Sequence, residues 1–260
     1  AASQMTGIEN RRISAAEKRA RVLQEKKEVE QQAITALENN KGRKAEKNKF
    51  IPSTKKSIIL SFGGLSKREP LENILDAMKS NQMHGTFFAT ERELKKYTDN
   101  IHLIQSYGQD LAIGLTSIKG GGSSKEYVEQ IIRVRKILKN QYGVETNIVR
   151  QLAQADNEDA IKEAISAMNC YWVDQGLNVV QSKQKDAKTV EEVINRIFGN
   201  RITSLNRNEI VFIRTDYYTD PDLAAAVMLA IKKDKINNIT YHEYDRQLNE
   251  ADKNDSSYQI

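Results

Sequence analysis

Carboxylates are the side chains of this sequence whose positions could support metal chemistry. Four of them, Asp110, Asp174, Asp216 and Asp220, lie near the ends of apolar segments that predict β-strands. Only Asp174 and Asp216 come just after the carboxyl end of such a segment, where the sites of parallel α/β proteins form. Two carboxylates without a third ligand hold a divalent metal weakly. These residues alone therefore predict no metal site.

The histidines and the cysteine do not supply the missing ligands. His84 precedes a predicted strand, His102 falls within a predicted helix, and His242 lies in the last predicted strand. Cys170 is the single cysteine, so the chain can form no internal disulfide, and no histidine lies near it in sequence to activate its thiol. We expect these four side chains to be surface or packing residues, and we predict no catalytic residue.

Five residues near predicted strand ends are the candidates for binding a ligand: Arg150, Asp174, Arg214, Asp216 and Tyr217. Two arrangements of the arginines are open. In the first, Arg150 pairs with Asp174 and serves only the fold. In the second, Arg150 and Arg214 face one cleft and bind an anionic ligand, since guanidinium groups suit carboxylates and phosphates.

Aromatic side chains and a glycine run also lie near the predicted site. Tyr217 and Tyr218 follow Arg214 and could stack on a ligand, whereas Trp172, the only tryptophan, is expected in the core. The glycines at 120–122 lack the Lys-Ser/Thr pair of a phosphate-binding loop. We therefore predict a flexible loop there and no nucleotide site.

The composition limits the class of protein. A hydrophobic fraction of 39% with 29% charged residues is typical of globular domains, and no segment approaches the roughly 18 apolar residues of a membrane helix. The net charge is +5, and the basic residues are concentrated before residue 57. This distribution indicates a basic arm. It gives no reason to expect a nucleic-acid partner. The first four residues do not resemble a signal peptide, so the compartment stays open.

The first fifty residues predict a charged helical stalk followed by a basic linker. Residues 14–39 are strongly helix-forming, and Val22, Val29 and Ala36 recur at seven-residue intervals. This helix is either a solvated stalk, which we favour, or a surface for self-association or for a protein partner. Residues 41–56 form a basic linker that is either a solvated tether or a contact to an anionic polymer or membrane surface.

From residue 57 onward, short apolar segments alternate with amphipathic helical patterns. We predict seven strands, the first at Ile58–Gly64 and the last at Ile239–Tyr244. The helices between them are predicted at about 69–81, as one helix up to about 107, at 125–141 with a cap from Ser123 or Ser124, at about 157–168, at about 189–198, and from Asp220-Pro221 to about 233. Strands separated by helices pair in parallel, which predicts an α/β domain over residues 51–247 with a polar tail at 248–260. The spacing permits either an incomplete (β/α)7 barrel or an open doubly wound sheet.

Several of these segments resemble the polysaccharide deacetylases, also called the NodB-homology carbohydrate esterases. Members typically read T-F-D-D-G in the first strand, T-F-F in the second and G-H-E-[IL]-[GA]-x-H in the third, followed four residues later by another histidine. This chain reads SFGGL at 61–65, TFFAT at 86–90 and GQDLAIGLTSI at 108–118. The later segments IVRQL at 148–152, YWVD at 171–174 and IVFIR at 210–214 keep the order of the family's remaining landmarks. The resemblance implies the incomplete barrel.

The resemblance also implies which catalytic groups are replaced. Family members hydrolyse an acetyl group on a sugar with a divalent metal such as zinc, held by one Asp and two His, and with a second Asp as general base. By motif position the base is replaced by Gly63, the metal-binding Asp by Gly64, and the two histidines by Gly114 and Ile118. The histidine that protonates the leaving amine is replaced by Arg214.

A shift of the alignment by a few residues does not restore these groups. No Asp or Glu lies between Ser57 and Arg68, and no histidine lies between Leu103 and Tyr241. The resemblance therefore indicates a degenerate member that uses no cofactor and binds a glycan or scaffolds a cell envelope outside the cytoplasm. Two alternatives remain: an active deacetylase with an atypical site, and an interaction module that acts through the N-terminal helix.

Overall fold

The computed structural model describes residues 2–48, 57–152, 157–174, 177–178, 187–198, 209–234 and 237–238. Within these ranges the chain alternates between helices and strands. The helices are α1 (Ala2–Asn40), α2 (Arg68–Ser80), α3 (Glu91–Lys96), α4 (Thr98–Ser106), α5 (Ser124–Tyr142), α6 (Glu158–Ala167), α7 (Val190–Phe198) and α8 (Leu223–Asp234). The strands are β1 (Ser57–Gly63), β2 (Gly85–Ala89), β3 (Asp110–Leu115), β4 (Ile148–Gln151), β5 (Tyr171–Trp172), β6 (Leu177–Asn178), β7 (Glu209–Arg214) and β8 (Asn237–Asn238).

The strands form one parallel sheet with β1 near its centre. Their order is β5-β4-β3-β2-β1-β7-β6, and β8 pairs with the beginning of β1. The first five strands follow one another in space as they do in sequence, because each returns through a helix to the neighbouring position. The carboxyl ends of all these strands therefore lie on the same side of the molecule.

The two faces of the sheet have different surroundings, which distinguishes a barrel from a doubly wound sheet. Outward side chains of every long strand join the helices in one large apolar core. The alternate, inward side chains form a separate small cluster: Ile59, Phe88, Ala112, Ile148, Val173 and Ile210. A doubly wound sheet has helices on both faces, whereas a barrel has them only outside. The predicted incomplete (β/α) barrel is confirmed.

Most helix boundaries agree with the sequence prediction because local capping residues set them. Ser123 begins α5 with a reciprocal capping box to Glu126, and Gly143 ends it with a left-handed backbone (φ 67°). The single helix predicted after β2 is instead two, since the chain turns at Tyr97. The helix expected to begin at Asp220-Pro221 begins at Leu223.

The strand predictions differ at the two ends of the barrel. The two-residue strand β6 was not predicted, because it carries no apolar run. The predicted last strand at 239–244 lies outside the described residues, and β8 ends directly before it. The polar tail at 248–260 also lies outside them.

The second half of α1 packs on the outside of the barrel. Val29 and Ala33 are buried against α5 and α6, and Ala36 and Leu37 lie beside them. Lys125 Nζ forms an ion pair with Glu30 Oε1 at 2.7 Å across this contact. The N-terminal helix is therefore present and joined to the domain, although its role as a stalk stays a prediction.

The segment after α1 continues along the edge of the sheet. Asn48 forms a parallel bridge with Val173, and its backbone N–H donates to the Trp172 carbonyl at 2.9 Å. The Asp174 N–H donates in turn to the Asn48 carbonyl at 2.9 Å. Residues 44–48 thus cover the exposed edge of β5. These contacts cross the domain boundary predicted at residue 50, which stays a prediction.

The first half of α1 extends beyond the barrel. Each side chain from Ser14 to Glu28 is exposed, including Val22 at 66% and Leu23 at 55%. Val22 lies one heptad before Val29, so the stripe that packs on the barrel continues onto this free part of the helix.

The packing of α1 predicts the effect of a charge at its contact surface. Ala33→Glu places a carboxylate in a fully buried position and should lower the free energy of unfolding by about 3 kcal/mol. Gln32→Glu introduces the same group at an exposed neighbouring position and should change it by under about 0.5 kcal/mol. Urea unfolding followed by circular dichroism measures both values. Equal stability of the two variants would show that α1 is not anchored at this residue.

The environment of Cys170 predicts an unreactive thiol. Burial raises the pKa of this thiol to about 11, and the nearby charge of Arg135 only partly opposes the effect. Because the thiolate is the reactive form, alkylation by iodoacetamide at pH 8 should be on the order of 100-fold slower in the folded protein than in urea. Equal rates in the two states would contradict this burial.

Candidate functional site

A buried carboxylate fixes the loop that follows β1. Leu65 donates its backbone N–H to Glu93 Oε2 at 2.6 Å, and its carbonyl accepts from Asn100 Nδ2 at 2.8 Å. The other oxygen of Glu93 accepts from the backbone N–H and the hydroxyl of Thr90, both at 3.0 Å. Glu93 therefore completes the capping box of α3 and positions the β1 loop at the same time.

The end of β7 holds the same loop from the other side. Thr215, which is fully buried, donates its backbone N–H to the Gly63 carbonyl at 3.0 Å. Its hydroxyl donates to the Gly64 carbonyl in a short hydrogen bond. The two glycines are thereby fixed beside the residues that follow β7, and this pairing defines the centre of the candidate site.

An ion pair fills the space over Gly64. Arg214 Nε and Nη2 donate to the two oxygens of Asp216, at 2.8 and 3.3 Å. Gly64 has a left-handed backbone (φ +74°), and a Cβ at this position would overlap the Asp216 carboxylate. Any side chain at position 64 would therefore compete with Asp216 for the same volume.

The ion pair keeps Arg214 charged in a partly buried place. The Arg214 guanidinium also stacks on the Tyr217 ring, 4.3 Å from its centroid. Burial opposes the charge, but the hydrogen bond and charge of Asp216, with smaller effects of Tyr217 and Glu93, raise the pKa of Arg214. The side chains of Arg214 and Asp216 remain 25% and 16% exposed, so a ligand can reach them.

Apolar side chains fill the space over the other two glycines at the strand ends. A Cβ at Gly63 would lie 2.8 Å from Cζ of Phe212 and 3.1 Å from Leu152 Cδ2. A Cβ at Gly114 would lie 2.7 Å from Leu152 Cδ1 and 3.1 Å from backbone atoms of Ala89. Gly63 and Gly114 are thus matched to the bulky side chains of Phe212 and Leu152.

Arg150 lies in the barrel interior and is withdrawn from solvent. Its guanidinium stacks on the Phe212 ring, 3.6 Å from the centroid, and the residue is 3% exposed. Arg214 is on the same strand as Phe212 but is held by Asp216. Which of the two arrangements of the arginines this chain uses stays a prediction.

The remaining candidates lie at β5, at one end of the described sheet. Asp174 follows β5 and is half-buried, and its backbone is fixed by the hydrogen bond to Asn48. Trp172 is 1% exposed and belongs to the core, with Lys47 Nζ 5.0 Å from its ring centroid. The structure therefore brings together Arg214, Asp216 and Tyr217 of the predicted set. The binding role of all five residues stays a prediction.

Sequence reasoning did not find the two side chains that fill the glycine positions, Phe212 and Leu152. Both belong to apolar segments, and their cross-strand position appears only in the folded register. Glu93 could have been found, because Thr90 and Glu93 have the spacing of a capping box at the end of a predicted strand. His84 and His102 are exposed, as expected of surface residues, and His242 lies outside the described residues.

The described side chains at this mouth do not fit a divalent metal. The part of the chain that the structure describes contains no group of three or more His, Cys, Asp or Glu side chains that could hold a metal ion. Asp216 is the carboxylate over Gly64, and both of its oxygens already accept from Arg214. A cation at this point would have to displace the guanidinium.

A comparison of the sequence with protein families matches residues 51–169 to the polysaccharide deacetylase family. This stretch of the chain is similar to a polysaccharide deacetylase domain. The match covers β1 to α6, and so includes the two glycines at the end of β1. The family resemblance inferred from the strand motifs is confirmed. A search of curated protein sequences finds no match.

Solved structures with similar folds include both active and inactive members of this family. Peptidoglycan deacetylase PdaC from Bacillus subtilis superposes with a TM-score of 0.60 and 17% identity, over 79% of this chain and 98% of that one. The pseudoenzyme BA3943 from Bacillus anthracis superposes with a TM-score of 0.59 and 13% identity, over 74% and 66%. A BA3943 mutant described as having restored enzymatic activity has a TM-score of 0.60, 13% identity and coverage of 74% and 68%. At these identities the likeness shows the shared fold.

The expectation that the chain uses no cofactor is wrong in light of this family. Its deacetylases are metal-dependent, so the family suggests a divalent metal such as zinc for this chain. The suggestion rests on the family alone, since the described residues at the mouth do not fit such an ion.

The overlap between position 64 and Asp216 predicts a stability effect. Gly64→Ala should lower the free energy of unfolding by about 3 kcal/mol, because it adds a collision to the strain of a left-handed residue. Gly120 has a similar backbone (φ +84°) with nothing within 4 Å of an added Cβ. Gly120→Ala thus isolates the strain and should cost about 1 kcal/mol.

The partner variant separates the two contributions at position 64. Asp216→Ala removes the carboxylate that an alanine at position 64 would meet. Gly64→Ala should therefore lower the free energy of unfolding less in the Asp216→Ala variant than in the unaltered chain. Thermal and urea unfolding of the four proteins measure this coupling. If Gly64→Ala and Gly120→Ala cost the same, the carboxylate does not occupy the space over Gly64.

Proposed function

We propose that this chain is a polysaccharide-deacetylase-like domain that binds a glycan of the cell envelope without hydrolysing its acetyl groups. The observation that carries the proposal is the occupation of the space over Gly64 by Asp216 and Arg214. In the resemblance described above, position 64 belongs to the metal-binding Asp. In this chain the corresponding volume holds the Asp216 carboxylate, whose charge is neutralised by Arg214.

The surroundings of Gly63 and Gly114 support a site without a general base. The resemblance assigns these positions to the base and to a metal-binding histidine. Phe212 and Leu152 take the corresponding volume, and neither side chain can accept a proton. The atoms nearest to an added Cβ at these two positions belong to Phe212, Leu152 and the Ala89 backbone, and none of them is a general base.

The same mouth keeps groups that suit recognition of a sugar. Arg214 supplies hydrogen-bond donors, Asp216 supplies acceptors, and the Tyr217 ring lies beside them. Aromatic rings beside polar groups are suited to sugars, which present apolar ring faces and polar edges. Asp174 and Arg150 complete the proposed set, Asp174 at the rim and Arg150 as the support behind Phe212.

An envelope location is part of this proposal, and one of the structural relatives supports it. PdaC, one of the structural relatives, is a peptidoglycan deacetylase. Among the described helices none is both long and apolar enough to cross a membrane. We therefore propose an extracytoplasmic glycan, such as a cell-wall polymer, as the partner.

The proposal predicts binding without turnover. The purified chain should bind acetylated chitin or peptidoglycan fragments, and it should release no amine from them over hours, with or without added Zn²⁺, Co²⁺ or Mn²⁺. Calorimetry measures the binding, and a fluorescent amine reagent measures the release. Arg133→Met, which changes an outer helix residue, should bind as the unaltered chain does.

The two readouts separate the alternatives. Amine release that depends on an added metal would establish an active deacetylase with an atypical site and would overturn the non-hydrolytic proposal. Absence of both binding and turnover would leave the barrel without a glycan function.

The free part of α1 favours a second candidate, self-association through this helix. Val22 and Leu23 are the large apolar side chains that stand exposed among the described residues. Size-exclusion chromatography with light scattering should then report a dimer that Val22→Glu converts to a monomer. A monomeric unaltered chain at high concentration would exclude this candidate.

A further inference from the structure

A groove lies along one side of α1, away from the barrel mouth. It has a volume of about 590 Å³ and runs between the second half of α1 and the end of α6. Strand β4 ends at the mouth and α6 brings the chain back, so Ser166 and Asn169 lie at the opposite end of the barrel. We propose that this groove binds a short extended peptide with a free charge at each end, independently of the glycan site proposed above.

The exposed residues of α1 change in character where the helix borders this groove. Of the fourteen residues at positions 17–30, nine are charged, whereas of the ten at positions 31–40 only Glu38 is charged. Four neutral hydrogen-bonding side chains are nevertheless exposed there and line the groove: Gln31, Gln32, Thr35 and Asn39. A ligand that covers neutral amides removes them from water at a lower cost than it would remove unpaired charges. The change in character therefore favours a ligand that lies along this side of the helix.

The floor of the groove is a fixed polar network. Asn40 is 2% exposed and donates through Nδ2 to the carbonyls of Arg43 and Glu163, at 2.7 and 3.5 Å. Ser166 Oγ donates to Asn40 Oδ1 at 2.8 Å, and Arg43 Nε donates to the Asn40 carbonyl at 3.0 Å. These bonds join α1 to α6 and hold Arg43 at one end of the groove. Because the groove is already formed, a ligand loses less free energy to ordering it.

The side chains above this floor have unused hydrogen-bonding groups. Within the described residues, the side-chain amides of Gln32, Asn39 and Asn169 take part in no hydrogen bond. Each amide offers donors and an acceptor together, as a peptide group does, so the two groups can pair. Among the described residues no aromatic side chain lines the groove, so the flat apolar surface that suits a sugar ring is missing. These features favour a peptide backbone over a saccharide.

Opposite charges stand at the two ends of the groove. Arg43 is exposed at one end, and its hydrogen bond to Asn40 uses only Nε, which leaves both Nη groups for a ligand. The exposed carboxylate of Glu28 stands at the other end. Neither side chain forms an ion pair within the part of the chain that the structure describes. Arg43 is therefore suited to the carboxylate of a peptide, and Glu28 to its ammonium group.

The separation of these charges sets the length of the peptide. An α-helix rises about 1.5 Å per residue, so α1 rises about 18 Å between Glu28 and Asn40, beside which Arg43 is held. An extended chain advances about 3.3 Å per residue. About five residues therefore reach from one charge to the other.

NMR titration of the 15N-labelled full chain with pentaalanine tests the proposal. The side-chain NH₂ signals of Gln32, Asn39 and Asn169 report on the groove directly, and they should shift and saturate. Three ligands with the same backbone separate the charges: N-acetyl-pentaalanine, pentaalanine amide and the peptide blocked at both ends. Each single block should weaken binding by about 3- to 10-fold, the effect of one exposed charge-assisted contact.

Two pairs of variants assign the charged ends. Arg43→Met should bind pentaalanine and its amide with less than about 2-fold difference, whereas Lys44→Met, which alters a side chain paired with Asp159, should keep the preference. Glu28→Gln should lose the preference for a free amino terminus, and Glu38→Gln, outside the groove lining, should keep it. Circular dichroism establishes that each variant is folded.

The remaining outcomes overturn the proposal. No shift of the three amide signals at about 10 mM pentaalanine would exclude a peptide site of useful affinity. Equal affinity for the four ligands would show that the charged ends contribute nothing. Shifts of the same signals by chitohexaose at lower concentration than by pentaalanine would show a saccharide groove instead. None of these results bears on the glycan site at the barrel mouth, because the two sites lie at opposite ends of the barrel.

Discussion

The fit between Asp216 and the bare backbone of Gly64 is the constraint on which the rest of this barrel mouth depends. The carboxylate can lie there because position 64 has no side chain, and it provides the partly buried Arg214 guanidinium with two hydrogen bonds. The loop accepts a left-handed residue because Thr215 and Glu93 hold it on either side. Thr215 and Glu93 are buried, Arg214 and Asp216 are partly buried, and each of these polar groups has a hydrogen-bond partner.

The barrel keeps its architecture although the residues at its mouth differ from the family motifs. Outward side chains of the strands meet the helices, and inward side chains form a thin second core. Phe212 extends that inner core up to Gly63, and Arg150 covers the ring from the other side. Gly63 is thus part of the packing of the inner core, which is compatible with the barrel fold.

The sequence was sufficient for features that depend on neighbours along the chain. The alternation of elements and the cap at Ser123 were predicted because spacing and capping are local. Spacing did not choose between a barrel and an open sheet, and the family motifs did. Arg214, Asp216 and Tyr217 were found as a group because they are contiguous, whereas the filling of Gly63 and Gly114 depends on cross-strand register, which no local pattern contains.

The attachment of α1 has a consequence for how the chain is made. Its apolar stripe, at Val29 and Ala33, packs on α5 and α6, and Asn48 pairs with Val173. During translation, α1 is therefore complete long before the surface of α5 and α6 on which it packs has been synthesised. Until roughly two thirds of the chain has emerged, α1 has only solvent or another protein to contact, and contacts so distant in sequence form slowly. Helix α1 therefore packs only after α5 and α6 have been synthesised, although it precedes both in the sequence.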